Sequence, residues 1–308
     1  MKKKEPSNTP RSSGKRRVLQ NLVSVTAVIG FLASTAVLLY PVISDRWNRQ
    51  RDMELIKSYN RMIESADPKQ FEESRRLAEA FNVGLVDENR NIVTDAKFVP
   101  DSYYESMLNE MHNGMICYIE IPCVDVTEPV YHYSTDESLS KGIGHIHGSS
   151  LPIGGKTTHS VLTGHRGLPN QKFFSDLDKM KIGDKFYIHV LGETLAYQVI
   201  HKEIIEPTDV SGMMIEDDRD LMTLITCDPY GVNTQRLVLT GERVPFDQND
   251  VKDGLVTTEK HQKVVDPAIW VFFGFVLFIA ILVSAALIRM IIRQRIRKKK
   301  DSHNDAKE

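Results

Sequence analysis

The central part of this chain is predicted to be mainly β, with a helical segment before it and an apolar span towards either end. Three observations carry that prediction. Between residues 115 and 240, short β-branched and aromatic runs follow one another, separated by Gly, Pro, Asn and Asp. Helical spacing of apolar residues dominates only ahead of those runs. Residues 18–44 and 267–288 contain no charged side chain at all. Short strands with few helices argue for an all-β barrel or sandwich.

The chain has 308 residues, enough for one sizeable domain plus membrane segments. A helix needs roughly 20 apolar residues to cross a bilayer, and both uncharged stretches reach that length. Ala33-Ser-Thr-Ala36 offers small residues for signal cleavage, but the apolar run continues past them, which favours an anchor. Lys2, Lys3, Lys4, Arg11, Lys15, Arg16 and Arg17 precede the first stretch, and a second basic cluster from Arg289 to Lys300 follows the other. The positive-inside rule then keeps both tails cytoplasmic and puts the intervening domain outside. The expected organisation is a basic tail (1–17), a signal-anchor helix (18–44), a helical spacer and loop (45–100), a β domain (101–246), a linker (247–266), a second transmembrane helix (267–288) and a basic tail (289–308).

The formal net charge of −2 hides a segregation. The tails hold 15 of the 39 basic and 4 of the 41 acidic residues, so residues 18–288 carry 24 basic against 37 acidic, a net of −13. An acidic outer domain excludes nucleic acid as a partner, since that needs a basic face.

Residues 47–85 are charged and helix-favouring, with Leu55, Ile56, Met62 and Ile63 at near-helical intervals. Asp67-Pro68 predicts the start of a second helix carrying Phe71, Leu77 and Phe81. Residues 86–100 look like a loop, and residues 101–111 like a short helix. Strands are expected at 115–121, 124–131, 160–163, 185–190 and 194–203, with a helix near 172–179 that presents Phe173, Phe174 and Leu177. A hairpin over 221–241 closes the series, its strands separated by Asp228-Pro-Tyr-Gly231.

Three cysteines make no disulfide framework. Cys117 and Cys123 read as buried small hydrophobes, and a bridge between them would need a sharp bend at Pro122. Among ten histidines, His112, His132, His189, His201, His261 and His303 read as surface or satisfied core residues. His145-Ile-His147 could offer two ligands, but no nearby Cys, Asp or Glu completes a zinc pattern, so no metal is expected. His159 reads as structural, whereas His165 lies in Thr-Gly-His-Arg-Gly, a strand exit able to present an imidazole to a cleft.

Cys227 falls where the first hairpin strand ends, and Arg236 where the second begins. Pairing would face a thiol with a guanidinium, and a neighbouring cation favours the nucleophilic thiolate. Thr223-Leu-Ile-Thr-Cys227, then Pro229-Tyr-Gly-Val-Asn-Thr and Arg236, closely resembles the active-site hairpin of the sortases. The Thr-Leu-X-Thr-Cys form is that of class C, the pilus-assembling sortases. His159-Ser-Val-Leu-Thr-Gly-His-Arg-Gly-Leu-Pro169 resembles the same family's histidine segment, which makes His165 its catalytic histidine. The resemblance runs from about residue 103 to 245.

That resemblance implies an eight-stranded β-barrel with a groove over the strands bearing Cys227 and Arg236. It implies a cysteine transpeptidase that cleaves Leu-Pro-X-Thr-Gly-like signals through a thioacyl enzyme and joins pilins by lysine isopeptide bonds, with no cofactor. Its partners would be pilins or surface proteins with C-terminal sorting signals, at the membrane of a Gram-positive cell. Cys227 would be the nucleophile, His165 the acid for the leaving amine, and Arg236 the oxyanion donor. Thr226, Thr163 and Gly164, beside them in the motifs, are expected to contact substrate. Alternatives are a sortase that attaches surface proteins to the cell wall, an inactive sortase-like scaffold, and a hydrolytic cysteine peptidase. One feature departs from the family. Many class C sortases carry an Asp-Pro-aromatic lid, whereas this region offers only Asp95 with Phe98, without a stiffening proline. Any lid here is expected to be weak.

Overall fold

The computed structural model describes residues 13–87, 101–168 and 171–247, with isolated helical positions beyond 273. The expected lid residues Asp95 and Phe98 lie outside the described residues. So does nearly all of the second expected span. The chain divides into two units, residues 1–41 with 263–308, and residues 42–262.

In the first unit the described residues are helical. Those before residue 42 belong to α1, Ser13–Ser65, which continues past Pro41 into the second unit. Its apolar part is long and apolar enough to cross a membrane, and it is not buried.

The second unit is built on a closed barrel of eight strands. They are β1 (Met115–Ile121), β2 (Val126–His132), β3 (Ile143–His145), β4 (Thr158–Thr163), β5 (Lys185–Val190), β6 (Glu193–Ile205), β7 (Asp220–Asp228) and β8 (Gln235–Val244). Their order around the barrel is β1-β2-β3-β4-β7-β8-β6-β5. Closure leaves no free edge to template aggregation. Two contacts are parallel, β2 with β3 and β4 with β7. The interior is apolar, with Ile119, Leu162, Phe186, Leu224 and Leu239 fully buried.

The helical segment that precedes the barrel is also part of its core. Helix α2, Pro68–Asp87, lays Phe71, Ala78, Phe81 and Leu85 into the same apolar cluster as the barrel interior. Leu77, expected with them, is exposed. Asn82 is buried on that face and satisfies both polar groups of Leu151, accepting from its N–H at 2.7 Å and donating to its carbonyl at 3.2 Å. The last turns of α1 pack Ile56 and Tyr59 on Met115 and Tyr118. Tyr59 Oη accepts from the Leu191 N–H at 3.0 Å.

Several expectations shift. β2 starts at Val126, because Pro122–Val124 forms a 3-10 turn closed by Asp125 in the left-handed region, at φ 51°. That turn leaves Cys123 exposed, while Cys117 is buried, and all three thiols are free. The buried reading therefore holds for Cys117 and fails for Cys123. The expected helix at 172–179 shrinks to turns and a 3-10 segment at Leu177–Lys179, although Phe173, Phe174 and Leu177 are all buried. The short helix after Asp101 is α3, Ser102–Ser106, capped by the Asp101 carboxylate. Helix α4, Asp136–Lys141, and β3 were not expected.

Candidate active site

Pairing register sets the geometry. β7 and β8 are antiparallel, with Thr223 opposite Thr240, Ile225 opposite Val238 and Cys227 opposite Arg236. β4 runs parallel to β7 on the other side, with Val161 opposite Thr223 and Thr163 opposite Ile225. Side chains alternate along a strand. Leu162, Leu224, Leu237 and Leu239 therefore point into the barrel, while Val161, Ile225 and Val238 form a separate cluster on its outer face. Cys227, Arg236 and Thr163 share the parity of that outer set. Met213 packs over the cluster, with Ile146, Ile205 and Val210 at its margin.

The ends of β4 and β7 are stitched together. The Gly164 N–H donates to the Ile225 carbonyl at 3.1 Å, and Thr226 Oγ1 donates to the Gly164 carbonyl at 2.7 Å. His165 follows Gly164 directly, and Cys227 follows Thr226. Two consecutive residues of one motif, Ile225 and Thr226, thus anchor Gly164 of the other. A Cβ on Gly164 would come within 2.6 Å of Ile143 Cδ1 and 2.9 Å of the buried Phe174 ring, so a side chain there would force both to shift.

Cys227, His165 and Arg236 are each partly exposed. Among the described residues the thiol and the imidazole make no side-chain hydrogen bond or ion pair. The Arg236 Nη1 donates to the carbonyls of Asn233 at 3.2 Å and Gln235 at 2.9 Å. Those bonds fix the guanidinium from behind through the β7–β8 turn. No carboxylate is paired with it among the described residues, which leaves its charge available to a bound oxyanion.

Residues 119–244 match the model of the sortase domain. The fold also matches solved structures. Streptococcus pneumoniae sortase C, described for catalysis and pilin substrate specificity, is 40% identical with a TM-score of 0.54, covering 63% of this chain and 97% of that one. Sortase C1 of Streptococcus agalactiae is 38% identical with a TM-score of 0.57, covering 63% and 100%. The chain belongs to the sortase family. Among curated relatives, sortase A of Staphylococcus aureus is 33% identical over 121 residues, 38% of this chain and 57% of that protein. Sortase D of Bacillus subtilis is 25% identical over 129 residues, 41% of this chain and 62% of that protein. This sortase thus spans about 57–62% of the length of those two relatives.

Among the described residues, two further histidines and two further cysteines are held away from this site. His159 is buried in β4, its Nδ1 2.8 Å from the Met214 carbonyl and its Nε2 2.7 Å from Thr223 Oγ1. Burial pushes its pKa down. His145 is fully buried between Tyr104 Oη at 2.6 Å and the Ser150 carbonyl at 2.8 Å, and burial pushes it down to about 3. It therefore stays neutral across the physiological range. No cluster of three metal-ligating side chains occurs among the described residues. Burial raises the Cys117 thiol far above its usual range. Cys123 is pushed up to about 11, by partial burial first and then by Asp184 beside it. Neither is poised as a thiolate.

Sequence reasoning missed two features of the surroundings of the site. The outer apolar strip of Val161, Ile225 and Val238 comes from three strands and is not contiguous in sequence. Arg166 was read only as part of a motif, yet its side chain is almost fully buried and ion-paired beside Cys227.

Proposed function

We propose that this sortase is a membrane-anchored cysteine transpeptidase of the class C, pilus-assembling type. The observation that carries the reading is the pairing of Cys227 with Arg236 across β7 and β8, with the residue before His165 bonded to the residue before Cys227. A thiol nucleophile, an acid for the leaving amine and a fixed donor for the oxyanion are what acyl transfer needs.

The thiolate of Cys227 attacks the Thr carbonyl carbon of a Leu-Pro-X-Thr-Gly-like signal. Arg236 donates to the oxyanion, and the imidazolium of His165 gives its proton to the departing glycine amine as the C–N bond breaks. A lysine amine of the next pilin then attacks the thioester, its proton returns to His165, and the C–S bond breaks to leave an isopeptide and free Cys227. Thr163, partly exposed at the end of the outer strip of Val161, Ile225 and Val238, is available to such a signal, whereas Gly164 and Thr226 are buried and hold the strand ends instead of touching it. Neither step requires a cofactor.

Residues 18–44 act as the anchor and 267–288 as a second span, with both basic tails cytoplasmic. Reporter fusions at Asn113 and His303 should then report opposite sides of the membrane. A same-side result would mean that one span is cleaved or does not insert.

The likeness to two curated sortases A besides that of Staphylococcus aureus favours a second reading, in which a cell-wall amine replaces the pilin lysine. Incubating the full-length enzyme in detergent with candidate pilins separates the two. SDS-resistant ladders support pilus polymerisation. Transfer only to cell-wall amines supports anchoring, and neither product from an intact enzyme sinks both.

A further inference from the structure

The ion pair beside the nucleophile carries an inference of its own. Arg166 follows His165 and Asp228 follows Cys227, and these two side chains form a salt bridge in which they are only 7% and 16% exposed. The same guanidinium reaches Asp178 at 3.0 Å, and its Nη1 lies 3.5 Å from the Cys227 carbonyl. Its Cζ stands 5.8 Å from the centre of the Tyr230 ring. That ring would in turn meet a Cβ on Gly167 at 3.1 Å, so it packs against the loop carrying His165. One arginine thus holds the β4 exit, the β7 exit, the β7–β8 turn and the 3-10 segment after residue 176.

The pair also has an electrostatic consequence. An unbalanced carboxylate next to a thiol raises the thiol pKa and removes thiolate. The charged groups around Asp228 are Arg166 from the β4 exit, Asp178 beyond it and Arg236 across the hairpin, with Gln235 directly opposite. Of these, the structure bonds only Arg166 to Asp228.

We propose that Arg166 is a positioning residue that neutralises Asp228, the residue after Cys227, and ties the His165 loop to the Cys227 strand. The proposal rests on the reading of Cys227 as nucleophile. It concerns thiol acidity, however, and can be read without any sorting signal.

The test is the pH profile of iodoacetamide alkylation at Cys227 in the full-length enzyme, followed by peptide mass so that Cys117 and Cys123 do not interfere. Arg166→Ala should move the midpoint upward by about one pH unit. Adding Asp228→Asn should bring it back to near the wild-type value. Arg166→Lys, which keeps the charge, should stay close to wild type in this profile. Asp228→Asn alone, which removes one carboxylate and leaves the arginine paired with Asp178, should lower the midpoint, and that arm does not depend on the alanine variant folding. An unmoved midpoint in a folded Arg166→Ala enzyme overturns the proposal. So does a shift that Asp228→Asn fails to reverse, or no change in Asp228→Asn alone. Peptide cleavage by the wild type, run alongside, tests the transpeptidase reading separately. An inactive wild type with the expected shifts would sink that reading and leave the arginine's role standing.

Discussion

Thr226 Oγ1 donates a 2.7 Å hydrogen bond to the Gly164 carbonyl, so the residue before Cys227 holds the residue before His165. Thr226 is buried, at 1% exposure, and nothing from solvent replaces that bond. The motif threonine is therefore a strut between two strands whose partner positions lie some sixty residues apart.

Thr226→Val keeps the shape and removes the donor. It should cost about 1–3 kcal/mol of stability, because the Gly164 carbonyl loses its partner in a buried place. Thr226→Ser should recover most of it. Denaturant unfolding of the two variants measures the difference, and a valine variant as stable as wild type would mean the bond carries no weight.

Arg236→Lys keeps the charge and loses the planar head that the Asn233 and Gln235 carbonyls hold in place. The expected loss in turnover is about 2–4 kcal/mol, or roughly 30- to 1000-fold. His165→Ala should be at least as damaging. Peptide-cleavage kinetics decide the matter, and near wild-type turnover in Arg236→Lys would reduce the arginine to a generic charge.

Away from the site, Glu128 on β2 is buried and pushed up to about 8, by burial first and then by the charge of Asp52, with Arg49 opposing. Asp52 is raised as well, chiefly by its own burial. A carboxyl with a folded pKa above its unfolded value binds extra protons in the native state. Its contribution is complete below about pH 4 and is lost as pH rises through about 8. Thermal melts should therefore show Glu128→Gln gaining on wild type between about pH 5 and pH 8. A difference that stays constant across that window would contradict the buried, protonated state.

What could be read from the sequence was what is local. The hairpin of β7 and β8 is one continuous stretch with its turn residues between, so the facing of Cys227 and Arg236 followed from it. The parallel pairing of β4 with β7 was not legible, because periodicity within a strand says nothing about a neighbour far along the chain. Strand β3 has only three residues, with Gly144 in the middle, too few for any pattern. The burial of α2 depends on the barrel presenting a matching face, and the buried bonds of Asn82 to Leu151 could not be read from the helix alone. Cys123 looked like a core thiol by residue type, but Pro122 turns the chain outward at that point. Arg166 was hidden for a related reason, since its partner Asp228 belongs to the other motif.

The central claim is that Cys227 carries the acyl group, and intact-protein mass spectrometry tests it directly. Incubating the enzyme with a Leu-Pro-X-Thr-Gly peptide and quenching in acid should give an adduct with the mass of the peptide up to its threonine. That adduct should map to Cys227, be released by hydroxylamine and be absent from Cys227→Ala. An adduct on Cys117 or Cys123, or cleavage by the Cys227→Ala enzyme, would contradict the account.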